Sequence, residues 1–533
     1  KLEEAIEAYT KALSLKPDYA TTHYNVGNIL YDQGKLEEAI EAYTKALSLK
    51  PDYFVAWNNL YFPLQSIKKE GNSDQLLSQI DPKNDDFNYS EIALSILHYR
   101  LHRGQENEES GLNRALERMS GANNLTLKNP TFDKAPNTKV QTLPEKIIAL
   151  VHFGRSGTGL LHSLIDGHPE ISSLPSIYFS QYFDLTTWEK IISGGRKEMI
   201  NRFMSVYEVL FDASSAVPIE GASKKFISNI GKKEGMANVG NKKNEILTVD
   251  RSAFHKELNR LLDYHEEIDA SIFFKLVHSA FDKAVNDQNH KNLIFYHIHN
   301  PGPYAKLNFV RSIPEARWII MVREPLQSCE SWLKEKFITN KYHELVPRIL
   351  DMLFEIDNVI YKRPNSIGVR LEDLKRQPRK TIPALCKWMG VEEVDSLYEM
   401  TAQGKRWWGD PTSPDYKKDG MEPFGKTSID RKVGSIFSKN DQLVFLTLFY
   451  PFSVRFGYTK EDEKQFKDNL QKIRPMIDQM FDFEKKIANE MKMSSKKFMN
   501  SGSYLYLRSG LLERWNTLNK FQTYPNMISP LKI

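Results

Sequence analysis

Gly154 to Gly159 carry the clearest chemical signal in this sequence of 533 residues. They lie within KIIALVHFGRSGTGLLHSLIDGHPEI, which reads as an apolar strand, a glycine-rich turn and a helix. A turn of this kind leaves backbone N–H groups unpaired at a helix N-terminus, where partial positive charge favours a phosphate or a sulfate. The donors expected here are the backbone of Gly157, Thr158, Gly159 and Leu160 and the hydroxyls of Ser156 and Thr158. Arg155 adds a permanent charge, placed to follow negative charge developing on a leaving oxygen. A nucleoside-triphosphatase loop would need GxxxxGK and then Ser or Thr, but Gly159 is followed by Leu160. A GxSxG nucleophile turn fails as well, because Thr158 stands where its second glycine belongs. A tight turn that binds nothing is the plainer alternative.

A second basic element follows far along the chain. In ARWIIMVREPLQSCESW a buried strand ends at Arg323, and Ser331 comes eight residues later, about two turns along the next helix. Open α/β sheets bind ligands at the carboxyl ends of their strands, which is where Arg323 falls. A third element, Arg431-Lys432-Val433-Gly434, is basic but would pass for ordinary solvated surface without its context.

These three elements together resemble the sulfotransferase family. RSGTGLLHSLIDGHPEI is similar to its 5′-phosphosulfate loop, Thr158 and His168-Pro169 included, with Gly159 replacing a usual hydroxyl residue. The resemblance implies that Arg323 and Ser331 bind the 3′-phosphate of 3′-phosphoadenosine 5′-phosphosulfate (PAPS), and that Arg431 and Lys432 close over it. It covers Lys146 to Tyr458 and includes LEDL at Leu371 to Leu374, ALCKWMGV at Ala384 to Val391 and RFGY at Arg455 to Tyr458. The implied reaction moves a sulfuryl group from PAPS to a hydroxyl or amine acceptor, leaves 3′-phosphoadenosine 5′-phosphate, and needs no metal. The alternative is a repeat scaffold whose α/β domain only binds an adenine nucleotide.

The acceptor's base is the missing part. His168 is followed by PEISSLPSIYFSQYFD, in which the region where relatives carry a glutamate is apolar or hydroxylic. His299 in YHIHNP is the first candidate, because imidazole titrates near neutral pH and alternation puts His297 and His299 on one side of an extended segment. His152, beside the glycine turn, is the second, and Asp184 a further one. Trp407, Trp408 and Phe424 are candidates for an acceptor pocket or for packing.

Several elements must position these groups. Lys1 to Tyr19 recurs letter for letter at Lys35 to Tyr53, a period of 34 residues. With Gly27, Tyr31, Ala39, Tyr43, Ala46 and Pro51 at fixed spacing, the segment resembles the tetratricopeptide repeat. That implies an all-α solenoid with a protein or peptide ligand on its concave face. The organisation expected is repeats over 1–64, a degenerate helical cap and linker over 65–144, a sulfotransferase domain over 145–459, and a C-terminal helical extension over 460–533. Strands are expected at Lys146 to Phe153, Ile272 to Val277, Leu293 to Ile298 and Arg317 to Val322, giving an α/β three-layer domain with a mostly parallel sheet. Lys460 to Lys497 reads as a solvated helix pair. A net charge of +5 argues against a nucleic-acid surface, no run is long enough for a membrane span, and Cys329 and Cys386 form no disulfide framework. A reducing, cytoplasmic setting is the expectation, with an upstream signal or further repeats left open.

Overall fold

The structure is a computed structural model. It describes residues 2–69, 72–78, 80, 89–103, 108–122, 125–128, 143–175, 179, 181–215, 217–218, 227–228, 230–285, 287, 289, 291–299, 302–362, 365–413, 416–426 and 429–533. Helices α1 (Leu2–Leu15), α2 (Ala20–Asp32), α3 (Leu36–Leu49) and α4 (Phe54–Ile67) pack as antiparallel pairs. The repeat's small residues explain the close fit: a Cβ on Gly27 would lie 2.7 Å from the Tyr43 ring, and Ala39 and Ala46 are fully buried. Helices α5 (Ser73–Leu77), α6 (Tyr89–Leu101) and α7 (Glu108–Ala122) continue the array.

The chain then enters a sheet. Strand β1 (Lys146–His152) leads to α8 (Thr158–Ile165) and β2 (Ile171–Ser173). Next come α9 (Ala270–Ala284), β3 (Leu293–His297), α10 (Pro303–Ser312) and β4 (Arg317–Val322). They are followed by α11 (Pro325–Ile338), α12 (Tyr342–Glu355), β5 (Ser366–Arg370) and α13 (Leu371–Arg376). The tail forms α14 (Glu463–Ile477), α15 (Asp482–Glu490), α16 (Gly502–Phe521) and β6 (Ser529–Pro530). The six strands pair in the order β6-β5-β4-β1-β3-β2, all parallel. From β1 the chain crosses to the edge strand β2 and returns through β3 on one side, and from β4 it builds outward on the other. The crevice at the carboxyl ends of β1 and β4 is therefore the switch point where such sheets bind ligands.

Alternation along the strands divides the core into two layers. Ile147, Ala149 and Val151 of β1 face one cluster, while Ile148 and Leu150 face the other. Both clusters are covered by helices, as a parallel sheet requires. The first runs on without a break through α12 and α16 to the repeat helices.

Three expectations are corrected. Ile272 to Val277 is not a strand but part of α9, whose start is fixed by the Asp269 carboxylate accepting the Ile272 N–H at 2.7 Å. Phe273, Phe274, Leu276 and Val277 are all fully buried, so the helix reads in sequence like a buried strand. Second, β2, β5 and β6 went unread; β6 returns from the far end of the chain to pair with β5. Third, the tail is not simply solvated. Phe466, Leu470, Ile473 and Ile477 of α14 are buried, and α16 packs against α2 and α4. A Cβ on Gly502 would lie 2.3 Å from Tyr31 O, and Tyr506 meets Tyr61 and Phe62 edge-on. Ser509 Oγ donates to Gln65 O at 2.5 Å, and Lys68 pairs with Glu513 at 3.0 Å. Among the described residues no helix is long and apolar enough to cross a membrane. Cys329 and Cys386 are buried free thiols.

Candidate active site

The glycine turn has the form its residues dictate. Gly154 and Gly157 adopt left-handed φ angles of 61° and 87°. A Cβ at Gly154 would approach Ser328 Oγ to 2.6 Å, and one at Gly157 would approach Leu371 Cδ1 to 2.7 Å. Within the turn Phe153 N donates to Ser156 Oγ at 3.1 Å, and from α11 Ser328 Oγ donates to Phe153 O at 2.7 Å. Ser156 is buried and shapes the turn. No side chain caps α8, so its first N–H groups, from Thr158 to Leu160, face the crevice uncapped. Arg155 is exposed, with Nη2 3.6 Å from Asp410 Oδ2.

Strand pairing brings the second element alongside. His152 lies opposite Met321 in register, so the turn and Arg323 leave adjacent strand ends. Arg323 is buried, and its Nη2 donates to Gln327 Oε1 at 3.1 Å. On the same helix, α11, Ser331 Oγ accepts from Arg431 Nη1 at 3.4 Å. Lys432 is exposed beside it. Glu330 fixes this arrangement. Its buried carboxylate accepts the backbone N–H groups of Gly434, Ser435, Ile436 and Phe437 at 2.9 to 3.1 Å and the Ser435 hydroxyl at 2.8 Å. A second carboxylate, Glu372 of LEDL, accepts from Glu324 N and from Tyr458 OH of RFGY, both at 3.0 Å. The motifs that recur in order along the chain therefore meet behind Arg323.

Arg155 also marks the electrostatic centre. The rings of His152 and His299 are 5.7 Å apart, and those of His297 and His299 5.5 Å. Burial, helped by His152 and Arg155, pulls His299 down to about 4, and burial holds His297 well below the imidazole range. His152 Nδ1 donates to Gly154 O at 3.0 Å, which places the lone pair of its neutral ring on Nε2. His168 donates to Glu392 O and accepts from Glu170 N, a structural role. Asp184 precedes the helix at 185–192, its carbonyl accepting the Thr187 N–H. Trp407 and Trp408 donate their indole N–H groups to Glu234 O and Gly240 O, so they pack the 234–240 loop. Phe424 packs against Tyr398, their rings 6.1 Å apart.

Sequence reading missed Glu234. Burial and the nearby Asp410 push its carboxyl up to about 7, against the opposing pull of Arg155. It sits in KKEGMAN, which looks like solvated surface and gives no hint of this. Asp351 was missed too. It lines a cavity of about 320 Å³ with His152, Gly154 and Trp332 from the sheet side and Asn58 and Phe62 from α4. Arg100, Arg103, Lys306 and Glu355 complete the charged part of its wall. Burial drives Asp351 up to about 6 although Arg103 and Arg100 oppose it, while Lys306 pairs with Glu355.

Residues 1–31 and 27–60 match the family model for the TPR repeat. The N-terminal segment is built of tetratricopeptide repeats. These repeats place α2 and α4 side by side, and the chain's own α16 covers both. No curated protein matches the chain in sequence. Solved structures similar to it include the sulfotransferase domain from the Synechococcus PCC 7002 olefin synthase, at 15% identity and a TM-score of 0.32, covering 56% of this chain and 92% of that one. Another is the sulfotransferase domain from the curacin biosynthetic pathway, at 13% and 0.27, covering 66% and 99%. A third is a sulfotransferase from Mycobacterium avium, at 12% and 0.26, covering 63% and 84%. At such low identities and TM-scores, what the α/β unit does has to be judged from its own residues.

Proposed function

We propose that the α/β unit transfers a sulfuryl group from PAPS to a hydroxyl or amine acceptor. The contact between Arg431 and Ser331 carries this reading: it lies on the helix whose Ser328 holds the glycine turn, so two anion seats share one rigid element. The backbone of Gly157 to Leu160 with Thr158 takes the 5′-phosphosulfate, and Arg323, Ser331, Arg431 and Lys432 take the 3′-phosphate. The acceptor oxygen attacks sulfur in line. The bond from sulfur to the 5′-phosphate oxygen breaks, its electron pair stays on the bisphosphate product, and Arg155 turns from Asp410 to that oxygen. The acceptor proton goes to Glu234, whose carboxyl at about 7 is better matched to neutral pH than His299 at about 4. His299 remains a neutral hydrogen-bonding group. A protein or peptide partner binds the repeats outside the face that α16 occupies.

The test is thermal unfolding of the intact chain with PAPS, with 3′-phosphoadenosine 5′-phosphate and with ATP, followed by transfer of labelled sulfate from PAPS to a lysate. Stabilisation by both 3′-phosphorylated ligands but not by ATP, with transfer, supports the reading. Stabilisation without transfer leaves the nucleotide-binding scaffold, and no stabilisation by either removes the assignment.

A further inference from the structure

Outside this site, α5 and α6 bring together Asp74, His98 and His102, the one group of three metal-ligating side chains among the described residues. His98 lies in the last turn of α6 and His102 follows just beyond its end at Leu101, with stacked rings 4.1 Å between centroids. His98 Nε2 is 3.0 Å and His102 Nε2 3.7 Å from the same atom, Asp74 Oδ1. Ligands of a tetrahedral zinc ion at about 2.0–2.1 Å lie roughly 3.3 Å from one another, so the observed spacings need only small rotations of side chains.

The protonation pattern adds a second reason. His102 Nδ1 donates to His98 O at 2.7 Å. That bond fixes the tautomer, and the neutral ring must then present the lone pair of Nε2 toward a carboxylate oxygen. Two lone pairs facing each other repel unless a cation, either a proton or a metal ion, lies between them. A backbone carbonyl holding the far ring nitrogen is also how metal-binding histidines are oriented. His102 is almost fully buried, whereas Asp74 is largely exposed, which leaves an entry path and an open coordination position.

We infer that Asp74, His98 and His102 form a binding site for a divalent transition metal, zinc first, which ties α5 to α6 where the repeats meet the α/β unit. The ligand set of two imidazoles and one carboxylate suits zinc and accepts cobalt as a spectroscopic probe.

The intact chain, stripped with a chelator, is titrated with Zn(II) by calorimetry and with Co(II) by visible absorption. One ion per chain, intense tetrahedral Co(II) bands and a rise in unfolding temperature with Zn(II) are expected. All three should be lost in His102→Gln and in Asp74→Asn. Asp74→Asn changes an exposed side chain and keeps the chain folded, so its result stands even if His102→Gln unfolds. Absence of binding at protein-stoichiometric metal, or binding unchanged in Asp74→Asn, overturns the site and leaves a proton-bridged pair.

Discussion

Arg431 Nη1 reaches Ser331 Oγ at 3.4 Å although 100 residues separate them. The contact puts a guanidinium and a hydroxyl on one face of α11, three residues on from the serine that holds the glycine turn. If the pair seats the 3′-phosphate, Arg431→Ala should weaken binding of 3′-phosphoadenosine 5′-phosphate about tenfold or more, the scale of a charge-assisted hydrogen bond of roughly 1.5–3 kcal/mol. Adding Ser331→Ala should cost less than its effect alone, because the two act on one group. Calorimetric titration checks both; strictly additive losses would separate the two residues.

Glu330 is a positioning residue. Removing its carboxylate by Glu330→Ala strands four backbone donors at 434–437, and each buried one costs about 1–3 kcal/mol. We expect a stability loss of about 3 kcal/mol or more by denaturant titration. Glu330→Gln, which keeps one acceptor oxygen, should fold nearly normally yet raise KM for PAPS more than it lowers kcat.

The pH dependence distinguishes the bases. Burial raises the Glu234 carboxyl from 4.5 to about 7, so its neutral form is the one the fold prefers. Its contribution to stability is complete below 4.5 and is lost as pH rises through about 7. Catalysis runs the other way, because the base works deprotonated: kcat/KM should rise with pH through about 7. Glu234→Gln should abolish that limb and lower kcat by about 10²–10⁴-fold. A limb near pH 4 that persists in the variant would return the role to His299.

Docking of the repeats is testable through Gly502. Within a helix Gly→Ala ordinarily gains about 1 kcal/mol. Here the new methyl would lie 2.3 Å from the Tyr31 carbonyl oxygen, a backbone atom that cannot rotate aside. Overpacking of about 1–3 kcal/mol should therefore prevail, lowering the unfolding temperature and exposing the repeats to protease.

Much of the fold was written locally. The apolar runs of β1, β3 and β4 and the glycine turn depend on residues within one helix or turn of each other, and the 34-residue period is a literal recurrence of letters. Such signals survive in a single sequence because they reflect backbone sterics and burial period. The reading failed at α9, where Ile272 to Val277 is apolar but for Lys275 and passes for a buried strand in so short a window, while the polar stripe of Ser271, Lys275, Ser279 and Lys283 that marks a helix runs beyond it.

The sequence alone determined that a glycine-rich turn follows a buried strand, that Arg323 closes another, and that repeats precede both. Only the tertiary structure decided which carboxylates serve them. Glu330 finds its donors 104 to 107 residues away, and burial among distant segments shifts Glu234. The physical reason is that a turn's shape is a short-range property of the backbone, whereas desolvation and pairing of a charge depend on whatever the completed fold places around it.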